Sequence, residues 1–362
     1  RGRFTVPTSQ LQQGWMNTSA FSVIDVDKQE FLGAIVVDEP ERGAAGIWSI
    51  ACNDESVFIS HSGTHEVSVI DHKAMLEKFL NYPNKAVLDY DLTFLYGLRE
   101  RIPLEGNGPR NMILNGDKLI IPTYFADILN IMDINTNEVT SVELNPGREE
   151  TAENKGERYF NDASHCFQNW QSCNGCHPGD ARTDGMNWDL MNDGVGNSKN
   201  CKSMLFSHMT PPNMISGIRE HAERAVRAGF NFIQFFEVSE EDAACVDAYL
   251  KSLRPVPSPY LVNGELSDLA KEGQKVFEKL KCGECHSGVY YTDMKYHRIG
   301  EDIEFEKGWD TPTLREVWRT APYLFDGRAA TMKEVFSVHK HGIEKKVSEK
   351  DIEALTEYVN SL

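Results

Sequence analysis

Two five-residue strings constrain this chain more than anything else in it: CNGCH at 173–177 and CGECH at 282–286. In each, two cysteines stand three positions apart and a histidine follows the second. That is the spacing at which two thiols tether one haem and the neighbouring imidazole ligates its iron. Zinc sites also use paired cysteines, but they do not need a histidine directly after each pair. Two covalently bound c-type haems are therefore expected, one on Cys173, Cys176 and His177, the other on Cys282, Cys285 and His286. Such haems are attached outside the cytoplasm, so the expected location is the periplasm or an equivalent lumen. There the remaining Cys52, Cys166, Cys201 and Cys245 are free to form disulfides.

The totals narrow the partners. A chain of 362 residues accommodates two or three domains. A net charge of −18 repels nucleic acid and anionic membranes, and suits a small cationic electron-carrier protein. No apolar run approaches the roughly 18 residues of a membrane span. The opening RGRFTVPTSQ has no apolar core, so any export signal is expected to lie outside this sequence.

Two halves carry different repeats. In residues 1–150, FSVID (21–25), EVSVID (66–71) and ILNIMD (128–133) each read as a strand that closes on Asp before a turn. GIWSIACNDESVFISHSGTHEVSVID (46–71) matches GPRNMILNGDKLIIPTYFADILNIMD (108–133) in pattern without a gap. Repeats of this kind signal propeller blades, and the stretch resembles the YVTN-type β-propeller repeat. Two blades and the tail of a third are visible, whereas propellers close with about 4–8. An open arc exposes sheet edges, so the missing blades are expected from another subunit, from a removed segment, or replaced by packing on the second half.

Residues 151–362 read as helices joined by Gly/Pro connections. The haem motifs are 109 residues apart, and so are VSEEDAACVDAYLKSL (238–253) and VSEKDIEALTEYVNSL (347–362). Both open on a serine N-cap with an acid three residues on, Ser239/Asp242 and Ser348/Asp351. Between them PPNMISGIREHAERAV (211–226) parallels APYLFDGRAATMKEVF (321–336). The expected fold is multidomain: a β-rich, propeller-like segment (1–150), then two mainly α cytochrome-c-like haem domains (151–253 and 268–362) joined by a Pro-rich linker (254–267). From Phe160 to Cys173 is 13 positions, and from the matching Phe277 to Cys282 is 5. The first unit thus carries an insertion of about eight residues, and it contains His165 and Cys166. A disulfide such as Cys166–Cys201, a buried thiol, and contact of Cys166 with the first haem as ligand or third covalent bond are all open.

The string GQKVFEKLKCGECHSG, followed by TPTLREVWRTAPYLFDGRAATMKEVFSVH, resembles the C-terminal haem domain of bacterial di-haem cytochrome c peroxidases and MauG. The resemblance implies proximal ligation by His177 and His286. It also implies a second axial ligand for the second haem at His339, with His341 close by. A bis-His haem suits electron relay. In the first unit the corresponding position is Gly229 or Phe230, and the loop after the haem motif where the family can supply a histidine, MNWDLMNDGVGNSKN (186–200), has none. The first haem is therefore expected to be open to a small molecule, with His208, His221, Met204 and Met209 as alternative caps. The family's acid at such a haem falls near Glu237, with Glu220 and His221 next. Its inter-haem Trp falls on Met214 or Ile215, a departure from the pattern. The family also admits calcium.

Three functions follow. An open haem with an electron relay implies an oxidoreductase, such as a stand-alone peroxidase. Two capped irons imply a purely electron-transferring cytochrome. The propeller-like segment implies docking to other subunits. Propeller repeats, two haems of peroxidase type and an extra cysteine together are similar to the di-haem subunits of hydrazine synthases. Those complexes make hydrazine from nitric oxide and ammonia in the anammoxosome lumen.

Overall fold

The computed structural model describes residues 18–188, 194, 199–299 and 306–362. The opening stretch and most of the loop at 186–200 lie outside them. The described residues form two compact units, each with sheet and helix. One runs up to Gly175 and takes in Gly229–Val246; the other comprises Cys176–Ala228 and Asp247–Leu362. These cuts differ from the boundaries drawn from the repeats.

The strand-rich unit opens with a hairpin, β1 (Ala20–Asp25) and β2 (Glu30–Val36). A four-stranded antiparallel meander follows: β3 (Ile47–Cys52), β4 (Ser56–His61), β5 (Glu66–Asp71) and, after the helices α1 (His72–Leu80) and α2 (Lys85–Leu88), β6 (Arg99–Pro103). A second meander is built from β7 (Ile113–Asn115), β8 (Lys118–Pro122), β9 (Ile128–Asp133) and β10 (Val139–Glu143). The Ser56↔Asp71 pair of the first meander recurs as Lys118↔Asp133 in the second, in the register of the sequence repeat. The hairpin answers to the last two strands of a third copy. Among the described residues no closed propeller forms.

Strand alternation explains the stacking. Val57 and Ile59 of β4 face a core with Ile35, Val37, Met75 and Phe79, which packs the hairpin and α1 on one side of the sheet. Phe58, between them, faces Leu119, Ile121 and Met132 of the second meander. The shared closing Asp serves the same local purpose each time. Asp25 accepts from the Lys28 amide, Asp71 caps α1 through the Ala74 amide, and Asp133 accepts from the Asn135 amide.

The haem-motif insertion lies in this same unit. Helix α3 (Ala152–Asn161) leads into it, and it docks on the first meander through backbone. The Ala163 amide donates to Gly63 O at 2.8 Å and the Gly43 amide to Gln168 O at 2.8 Å. A Cβ at Gly43 would stand 2.6 Å from Asn169 O and Trp170 Cα, so only glycine admits this approach.

In the C-terminal unit the sequence repeat is also a backbone repeat. The bridge Asn213↔Arg219 recurs as Tyr323↔Ala329, and the positive φ of Met214 and Gly217 recurs at Leu324 and Gly327. Helix α4 (Asp268–Lys279) crosses the closing helix α5 (Glu349–Asn360) so closely that a Cβ at Gly273 would meet Ala354 O at 1.9 Å. The expected serine caps are present: Ser239 and Ser348 each accept from the amide three residues on, at 3.1 Å. No helix among the described residues is long and apolar enough to cross a membrane.

Candidate haem sites

The second motif follows α4 directly. The chain turns at Lys281, and the His286 amide donates to Cys282 O at 2.9 Å, which closes one helical turn over the motif. His286 Nδ1 donates to Tyr291 O at 3.1 Å. This contact fixes the tautomer and leaves the Nε2 lone pair for a metal. Burial lowers the pKa of His286, which favours the neutral form that ligates. Burial also pushes Cys282 up to about 11 and raises Cys285.

The ring facing His286 is that of His341. Their centroids are 6.3 Å apart and their planes meet at 51°. Burial, with the His286 ring beside it, brings His341 down to about 4. Two imidazoles bonded to opposite sides of one iron at about 2 Å would have centroids about 6 Å apart. The centroid separation of the pair matches that spacing. The position matched by family resemblance, His339, stands two residues earlier, just past helix α6 (Met332–Ser337), and the structure brings its neighbour instead. The helix stops at Ser337, so counting along it does not carry to the ligand.

At the first motif, Cys173–Cys176 forms one helical turn. His177 Nδ1 donates to Arg182 O at 3.2 Å, five residues on, as in the second motif. Burial lowers His177 as well. The Cys201 thiol lies 3.5 Å from Nδ1 and 3.9 Å from Nε2, and burial raises its pKa. On the strand-rich side, Gln234 Nε2 donates to Cys173 Sγ at 3.2 Å from a single π turn, Phe230–Gln234. Burial pushes Cys173 up to about 12. Imidazoles anchored through Nδ1, each directly after an uncrosslinked cysteine pair, are the donor set a c-type haem requires.

His165 and Cys166 have a built environment. Cys166 is buried, and its thiol is pushed up to about 11 by burial. The His165 ring stacks between Tyr159 and Phe236, each with its centroid 4.9 Å away. Asp162, 3% exposed, stands between two histidines: Oδ1 is 3.0 Å from His65 Nε2 and Oδ2 is 3.5 Å from His165 Nε2. His65 Nδ1 accepts from the Gly108 amide, so its proton is on Nε2, toward Asp162. Burial would raise Asp162, but His65 outweighs it and holds the carboxyl below its usual range.

The structure also places the remaining expected residues. All eight cysteines are free, so Cys166–Cys201 is not a disulfide. Glu237 is exposed. Glu220 and His221 are an exposed surface pair 3.7 Å apart, with no buried environment to tune an acid. His208 is committed to Asp247 at 3.0 Å, with Arg227 on the other oxygen, and is not free to cap an iron. Met204 and Met209 are half-buried. No group of three or more His, Cys, Asp or Glu among the described residues is placed to hold a metal ion. The buried Asp310 is matched by Lys202 Nζ at 2.7 Å. Sequence reasoning missed the Asp162–His65 pair and the contacts of Arg182. The common five-residue step from each haem histidine to its carbonyl was the available signal.

The structure shares its fold with a chain of the solved hydrazine synthase from Kuenenia stuttgartiensis pressurised with xenon. The TM-score is 0.53 at 23% identity, over 60% of this chain and 89% of that one. By sequence the chain is homologous to hydrazine synthase subunit gamma of the same organism, 27% identical in an alignment 272 positions long that covers 57% of this chain and 76% of the relative. A MauG-like protein associated with microbial copper homeostasis aligns with a TM-score of 0.47 at 18% identity, over 61% of this chain and 91% of that one. No family model matches the chain.

Proposed function

We propose that this chain is an extracytoplasmic subunit of a multi-protein redox enzyme of the hydrazine synthase kind, carrying two c-type haems. The observation that supports this reading most is the matched anchoring of His177 and His286, each Nδ1 tied to a carbonyl five residues on. Homology to a hydrazine synthase subunit supplies the enzyme class. When bound, haem supplies one-electron chemistry and a site for a small ligand.

The residues divide the work. His286 and His341 hold the second iron from both sides, which suits electron relay; His341 replaces His339 in this role. Cys173, Cys176 and His177 hold the first haem. With His208 held by Asp247, that haem keeps an open side for a small substrate. Cys166 is assigned to it as a third attachment. Proton handling is assigned to the buried Asp162 and the half-buried His165 beside it, in place of the exposed Glu237, Glu220 and His221. The open edges of the β meanders dock the other subunits, and a small cationic carrier protein exchanges electrons.

Spectra of the haem-loaded protein test this. Two haems per chain are expected, the second low-spin and the first high-spin, with the high-spin haem responding to nitric oxide. Two low-spin haems inert to nitric oxide would reduce the reading to a plain electron-transfer protein. Mass spectrometry of the 160–180 haem peptide tests Cys166: free alkylation of its thiol refutes the third bond.

A further inference from the structure

The two haem histidines are anchored alike but braced differently. The carbonyl that fixes His286 belongs to Tyr291, whose phenol turns into its own repeat, 3.3 Å from Tyr358 Oη. The carbonyl that fixes His177 belongs to Arg182, whose side chain reaches into the repeat that carries the second haem. There it makes a bidentate pair with Glu316, Nε to Oε2 at 2.7 Å and Nη2 to Oε1 at 2.9 Å. Arg182 also donates to the carbonyls of Asp180 and Arg254. Glu316 accepts from the Val256 amide and lies 3.8 Å from Arg319 Nη1. The two side chains are 4% and 1% exposed.

Resting on the reading of His177 as a haem ligand, we infer that Arg182 and Glu316 are a positioning pair. Through them the second repeat orients the His177 imidazole and sets the reduction potential of the first haem. The repeat does not need charge at these places. Tyr291 stands where Arg182 does, and Phe206, packed on Tyr290 at 5.0 Å, stands where Glu316 does. A buried ion pair stabilises a fold weakly compared with apolar side chains of similar size. What the pair adds is a guanidinium rigidly joined to the imidazole's anchor, with its charge cancelled from the other repeat. Its charges act at low dielectric, where they are poorly screened.

The signs follow. Without the Glu316 charge, the uncompensated Arg182 favours the reduced, less positive iron. Without the Arg182 charge, the uncompensated Glu316 disfavours it. Potentiometric titration of the full, haem-loaded chain separates the haems by their spin-state bands. Glu316→Gln is expected to raise the reduced-to-oxidised ratio of the first haem about tenfold at fixed ambient potential, which is about 59 mV for one electron. Arg182→Gln is expected to lower it by a similar factor, with the second haem unmoved in both. Shifts of the same sign, equal shifts at both haems, or no shift overturn the inference.

Should a single variant fail to fold, Arg182→Lys decides. It keeps the charge and loses the fork, so the ratio stays within about threefold while the iron–histidine stretching band moves. An unmoved band overturns the pair's role. His177→Ala keeps the two readings apart: if the first haem's spectrum survives that change, the ligand assignment fails, not the brace.

Discussion

The surroundings of the second haem motif are local and those of the first are not. Around His286, the anchor (Tyr291), the phenol behind it (Tyr358), the facing ring (His341) and the crossing helices all come from residues 268–362. Around the first motif, Asp162 and the insertion lean on the turn at 61–65 of the first meander, and Arg182 leans on Glu316. On the proposed reading the second haem draws its imidazole contacts from its own repeat, although Phe206 of the first repeat packs on Tyr290 beside the anchor. A haem whose supports come from distant parts of the chain responds to them, which suits a site that must be regulated or assembled.

The largest effect expected to break this comparison is at His341. His341→Ala is expected to turn the second haem from low-spin to high-spin, read by absorbance and electron paramagnetic resonance, while His339→Ala leaves it low-spin. The reverse outcome would return the ligand to His339. Either ligand comes from residues 268–362, so this outcome would change the ligand and leave the setting of the second haem local.

Next is Asp162→Asn, which should cost about 2 kcal/mol of stability, the worth of a hydrogen bond to a buried charged group. The folded carboxyl titrates below its unfolded value of about 3.9, so the stability it adds is present above about pH 4. That stability is lost as pH falls through the folded value. Denaturant melts from pH 7 to 3 should show a steeper acid loss in the parent than in Asp162→Asn. Parallel curves would mean that the insertion is held by its backbone contacts alone.

The smallest effect concerns what the two repeats share. Ser239→Ala and Ser348→Ala should each cost about 1 kcal/mol, because each serine accepts from the amide three residues on at 3.1 Å. Unequal costs would show that the repeats differ even in their helix starts.

Much of the fold was legible because its signals are local. The strand ending in Asp recurs because that carboxylate closes the next turn, and Ser348 starts a helix because its hydroxyl meets the Asp351 amide. The position matched by resemblance and the ring found against His286 differ by two residues. Helix α6 stops at Ser337, and the chain beyond it carries His341, not His339, to His286. The exposed Glu237 was placed by counting from a turn across a stretch where the backbone leaves helical geometry, at the Phe230–Gln234 π turn and the left-handed Phe235.

By itself the sequence determined the two haem motifs, the duplicated helices and caps, and the paired meanders, since each depends on residues a few positions apart. Only the tertiary structure decided which side chains face across those elements. Asp162 meets His65 over 97 positions of chain, and Arg182 meets Glu316 over 134. No spacing rule reaches so far. Burial removes water as a partner for these charges, so each must find its counter-group wherever the fold brings one.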